Sequence, residues 1–195
     1  MNTGSKALKI AVACLVVMAM VCVSGFARDK YETIDATAYG TSTQLGANVG
    51  VTIIIYEFST PETRQALIEA FQKGQNQGLV DALQKMKAVG RIQIPGTVGY
   101  DLAYAVSVPT ASGRTVRFVT NRRIAFQEAY RNTQSQAYNP TGGEINVVDE
   151  DNSKSAGVLY PAAQLVINKD GDLQIELRQN PWRLTNVIVR GKTEN

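Results

Sequence analysis

The sequence predicts an α+β fold: a mostly antiparallel sheet or partly closed β-barrel or sandwich, with one helical hairpin inserted after the second strand. Three observations lead there. Hydrophobicity alternates with a period of two over most of the chain from residue 31 onward. One segment, residues 59–90, switches to helical spacing. Turn-forming clusters then punctuate the later half at short intervals, as an antiparallel sheet requires.

The chain begins with two positive charges, Lys6 and Lys9, then runs apolar from Ile10 to Val23 and exits through Ser24-Gly25-Phe26-Ala27. That order of charge, apolar core and small-residue exit predicts a signal peptide over residues 1–27, cleaved after Ala27. The apolar run is short of the roughly 20 residues that a permanent membrane helix needs. A lipid-anchor reading fits poorly, because Cys22 follows Met20 and Val21 where a small residue should stand, and Cys14 lies too early in the run. The expected mature chain, 28–195, is a single α+β domain of 195 less 27, or 168, residues with no transmembrane helix, large enough for one hydrophobic core. Its expected location is periplasmic or extracellular.

Within that domain, Tyr31–Tyr39 alternates as a first strand, and Val49–Phe58 is β-branched and aromatic enough for a strand covered on both sides. Ser59-Thr60-Pro61-Glu62 predicts a helix start, since a serine three residues before a glutamate forms a capping box and proline is tolerated in the first turn. Ala66, Leu67, Ala70 and Phe71 continue that helix to a stop at Gly74; Leu79, Val80, Leu83 and Met86 line a second one ending at Gly90. Short strands are expected at Arg91–Ile94, Val98–Val108, Arg114–Thr120, Ile124–Tyr130, Glu144–Val148, Ala156–Tyr160, Ala163–Asn168, Asp172–Leu177 and Val187–Val189. Residues 131–143 read as a surface loop, and Asp170-Gly171 as the tight turn of a hairpin.

Chemistry is constrained by subtraction. The chain has no histidine, and its two cysteines, Cys14 and Cys22, both fall in the expected signal peptide. The expected mature domain therefore lacks imidazole bases, thiolate nucleophiles and the usual zinc ligands. No catalytic residue, metal ligand or cofactor is assigned. The balance after cleavage is 18 basic to 17 acidic residues, a net charge of about +1, which does not favour nucleic acid as a partner. Asn168-Lys-Asp-Gly-Asp172 resembles the start of a calcium loop, but counting from Asn168 the sixth residue is Leu173 and the twelfth Gln179, so the pattern fails. Asp149–Asn152 reads as a solvated turn. Glu128, Glu144 and Glu176 fall on expected strands; a carboxylate-based hydrolase of polysaccharide would need two such acids facing across a cleft.

The ligand-binding candidates are Tyr100, Tyr104, Arg122 and Arg123. Tyr100 and Tyr104 share an alternating strand face with Leu102 and Val106, which becomes the wall of an apolar pocket if the sheet curls into a hollow barrel. Arg122 and Arg123 are neighbours within the densest basic cluster, whereas Arg114 and Arg117 fall on opposite faces of their strand. The expected function is an exported, non-enzymatic binding or interaction domain, for a small apolar or amphipathic ligand or for an envelope protein. The alternatives are the hydrolase and a purely structural partner in a complex.

The run Leu83-Gln-Lys-Met-Lys-Ala-Val-Gly90, followed by Arg91-Ile-Gln-Ile-Pro-Gly-Thr-Val-Gly-Tyr-Asp-Leu-Ala-Tyr104 and by Gly113-Arg114 to Thr120-Asn121-Arg122, resembles exported hypothetical proteins of environmental bacteria. The resemblance spans most of the expected mature chain. It implies export and a single domain, and carries no activity, cofactor or site residue.

Overall fold

A computed structural model describes residues 31–41, 47–95, 97–122, 140–160, 163, 165–169, 171, 173–175 and 181–191. The expected signal peptide, the expected strand Ile124–Tyr130, and Arg123, Glu128 and Glu176 lie outside the described residues. Ten strands are described: β1 (Glu32–Tyr39), β2 (Asn48–Ile55), β3 (Gly90–Gln93), β4 (Tyr100–Thr110), β5 (Gly113–Thr120), β6 (Gly142–Val148), β7 (Ala156–Tyr160), β8 (Leu165–Ile167), β9 (Leu173–Ile175) and β10 (Trp182–Arg190). Eight of them close into an antiparallel barrel in the ring order β1-β10-β7-β6-β5-β4-β3-β2, and β8-β9 form a separate hairpin. The sheet is therefore closed rather than sandwiched, and closure removes the unpaired edges that an open sheet would present.

Alternation builds the barrel wall. Along β1, Ile34, Ala36 and Ala38 are buried while Thr33, Asp35 and Thr37 are half-buried on the outer side. The same rhythm puts Val51, Ile53 and Ile55 of β2 inside. Two bulges reset it. β4 slips by one residue against β5 between Leu102 and Tyr104, so the inner positions run Tyr100, Leu102, Ala105. β10 slips against β1 at Asn186, which adopts a left-handed φ of 52°, so its inner positions run Trp182, Leu184, Val187. Asparagine is among the few non-glycine residues that tolerate that conformation.

Between β2 and β3 a single α-helix is described, α1 (Pro61–Lys85), where the sequence suggested two. The chain passes through Gly74 in helical form and breaks at Gln75, with φ 50° and ψ −144°. A Cβ on Gly78 would lie 2.4 Å from the Ala70 carbonyl oxygen. Eight residues span about 12 Å along a straight helix, so the bend at Gln75 is sharp. The cap also differs from expectation. Thr60 is the N-cap, its hydroxyl accepting from the Thr63 amide, because Ser59 is engaged elsewhere: its hydroxyl accepts from the Ala105 amide at 3.1 Å and its own amide donates to the Ala105 carbonyl at 2.7 Å. Gly90 begins β3 instead of ending a helix; a side chain there would strike the Ile54 carbonyl oxygen.

Helix α1 flanks the barrel and does not plug it. Leu67, Leu79 and Leu83 form a second buried cluster with Ala103 and Val119 on the outer side of β4 and β5, and Phe71, Met86 and Tyr104 border it.

Candidate functional site

An eight-stranded barrel has a lumen just wide enough for side chains to fill. Here they fill it: Ile34, Ile53, Ile92, Leu102, Phe118 and Ile145, from six different strands, are each 0% exposed. The Phe118 ring lies over Gly143, its direct cross-strand partner, and a Cβ on Gly143 would meet the ring at 2.3 Å. Glycine at that position lets the largest wholly buried side chain lie across the next strand.

The inner face of β5 carries a charge at each end, reading Arg114, Val116, Phe118, Thr120 and, just beyond the strand, Arg122. At one mouth Arg114 reaches across to Glu32 in a two-pronged pair, Nη1 donating to Oε2 at 2.8 Å and Nη2 to Oε1 at 2.7 Å. Glu32 is wholly buried and Arg114 only 20% exposed. At the opposite mouth the Arg122 guanidinium lies 5.3 Å from the centre of the Tyr100 ring, within cation–π range. Between Thr120 and β6, the Thr120 hydroxyl accepts from the Thr141 amide and donates to the Arg122 carbonyl, closing the backbone behind Arg122.

Two of the four candidates thus meet, Tyr100 and Arg122, and Arg123 lies outside the described residues. Tyr104 does not join them. The bulge at Ala103 turns Tyr104 to the outer side, under α1, so the two tyrosines do not share a face. Burial there raises the Tyr104 hydroxyl above the usual tyrosine range, an effect that the nearby Arg64 and Arg117 charges oppose. Arg114 and Arg117 do fall on opposite faces: Arg117 points outward and donates from Nε to the Glu144 carboxylate at 2.7 Å, its cross-strand partner.

Glu32 was missed, yet its signal was present. It occupies the same alternating set as Ile34, Ala36 and Ala38, so an acid was visible on the buried face of β1. Of the three strand acids considered for hydrolysis, Glu144 is the one described, and it is engaged with Arg117 on the outer wall. Trp182, the single tryptophan, is 4% exposed and belongs to the barrel core, so its ring is not offered to a sugar. In the acidic segment, the Asp151 carboxylate accepts from the Ser153 amide and hydroxyl, and those bonds hold it below the usual carboxylate range. Among the described residues no three His, Cys, Asp or Glu side chains gather as a metal site.

The outer wall offers a different feature. Continuing the β1-β2 register by one pair sets Tyr31 opposite Tyr56, and both are exposed. Ile188, 47% exposed, faces outward on β10 directly opposite Asp35 of β1, and Thr33 and half-buried Ile54 lie on the same outer face. Asp35 borders this group, donating nothing but accepting from Thr52 and pairing with Arg190 at 3.1 Å. β1 stands four places from β5 around the ring, so this face is on the side of the barrel away from α1. With ion pairs such as Asp35–Arg190 and Arg117–Glu144 outside and hydrocarbon inside, the wall has the reverse polarity of a transmembrane barrel. No described helix is long and apolar enough to cross a membrane.

No protein-family model, no curated protein and no solved structure matches the chain.

Proposed function

We propose that the protein is an exported, non-enzymatic interaction domain, periplasmic or extracellular, that holds an envelope protein on the outer face of β10, β1 and β2. The packed lumen carries this reading. A barrel whose centre is closed by Phe118 over Gly143, and one of whose mouths is crossed by Glu32 and Arg114, leaves recognition to its outside. On that outside, Tyr31, Tyr56 and Ile188 supply apolar and aromatic anchors, and Asp35, Thr33 and Arg190 supply a polar rim, the composition that protein interfaces favour. Helix α1 shields β4 and β5 and leaves the opposite side for a partner. A small apolar ligand within the barrel is the less supported version of binding, since the space it would need is filled.

A photo-crosslinking residue placed at Ile188 tests this in the full chain, with the same residue at the exposed helical position Glu69 as control. The proposal expects a defined protein adduct from the Ile188 position in the cell envelope, none from Glu69, and loss of the adduct on adding Y56D. No adduct at Ile188, or the same products at both positions, would contradict it.

A further inference from the structure

We propose that Glu32 and Arg114 form a latch that fixes the register of the strand closing the barrel. β1 comes first among the described strands and β10 last, yet they pair, with Thr33 opposite Arg190 and Tyr39 opposite Arg183. This seam is the longest-range pairing in the ring. Alternation alone fixes it only in part: a slip of one residue would turn every inner side chain outward, but a slip of two keeps the in-and-out pattern. The inner face of β1 discriminates weakly against such a slip, because two of its apolar residues are the small Ala36 and Ala38. On the outer side the pair Asp35–Arg190 is register-dependent, but Arg190 is 66% exposed and the pair is worth little.

Glu32 supplies what alternation lacks. A two-residue slip moves its carboxylate about 7 Å along the strand, breaking both bonds to Arg114. The guanidinium, largely enclosed at the mouth, would then lose its bidentate partner. β1 and β5 are four places apart in either direction around the eight-membered ring, so the pair spans the lumen and ties the seam to the wall opposite. Fixing register is the best-attested use of a buried ion pair, whose net effect on stability is often near zero.

The test separates register from stability. In a full chain with Cys14 and Cys22 replaced by alanine, the pair T37C/T185C reports the native register of the seam, because Thr37 and Thr185 are direct cross-strand partners on β1 and β10. The pair T37C/R183C reports a two-residue slip, since diagonal neighbours are ordinarily too far apart to bridge. Each pair is oxidised in the parental background and in E32M/R114M, which keeps the side-chain volume and removes both charges together. A latch predicts that E32M/R114M folds with unimpaired stability while the slipped disulfide rises several-fold relative to the native one. An unchanged ratio overturns the proposal. Should E32M/R114M fail to fold, the reversed pair E32R/R114E decides: the latch predicts a folded chain at the parental ratio, and a raised slipped fraction there overturns it equally.

Discussion

Phe118 and Gly143 together decide what the barrel can hold. The ring covers the bare backbone of Gly143, and both residues belong to the buried inner face. Neither can change size alone, because Phe118 is wholly enclosed and has nowhere to move. Gly143→Ala should therefore destabilise the fold by about 1–3 kcal/mol, the usual cost of overpacking a filled core. Equilibrium denaturation measures this; a loss below about 0.5 kcal/mol would mean that the ring has room to spare. Residues of this kind were partly legible. The alternation that places Val116 and Phe118 inside also places Arg114 and Glu32 inside, but a charge on a buried face carries no mark of its partner on a strand four places away. Tyr104 was illegible for a local reason: one extra residue at Ala103 inverts every facing after it, and nothing in Leu102-Ala-Tyr-Ala105 signals the insertion.

Elements were easier to read than their ends. β1 and β2 follow the alternation nearly residue for residue, because the extra residues of the two bulges sit on β4 and β10. β10 was foreseen only as Val187–Val189. Its inner residues Trp182, Leu184 and Val187 are spaced two and then three apart by the bulge at Asn186, which hides the period. The expected loop 131–143 overlaps β6 at its end: Gly142 and Gly143 look like turn formers and are strand residues, and the missing side chain of Gly143 admits Phe118. The helix start was placed correctly to within one residue, but the capping hydroxyl belongs to Thr60 because Ser59 bonds to Ala105. What holds α1 on the wall is its apolar contact with Ala103 and Val119. Leu83→Ala, at a site 1% exposed, should cost about 2–5 kcal/mol through the cavity it leaves. Denaturation with retained β-sheet circular dichroism is the measurement, and a cost under about 1 kcal/mol would show that α1 is loosely docked.

For the whole molecule, ring closure is the property that converts an alternating sequence into a filled body. The sequence implies antiparallel strands with apolar faces, and these serve equally well for a sandwich, a hollow barrel or a packed one. Which of the three forms depends on strand number and on side-chain volumes meeting at the centre, quantities set by residues far apart in the chain. With eight strands, and with isoleucine, leucine and phenylalanine from six of them meeting inside, the centre is closed. Recognition then falls to the outer wall, where Tyr31, Tyr56 and Ile188 are exposed on the side away from the helix. The most direct test of that account is native mass spectrometry of the purified chain after incubation with a lipid extract. A packed lumen predicts the mass of the bare polypeptide; a lipid or other small apolar molecule retained at one per chain, and lost when Phe118 is altered, would contradict it.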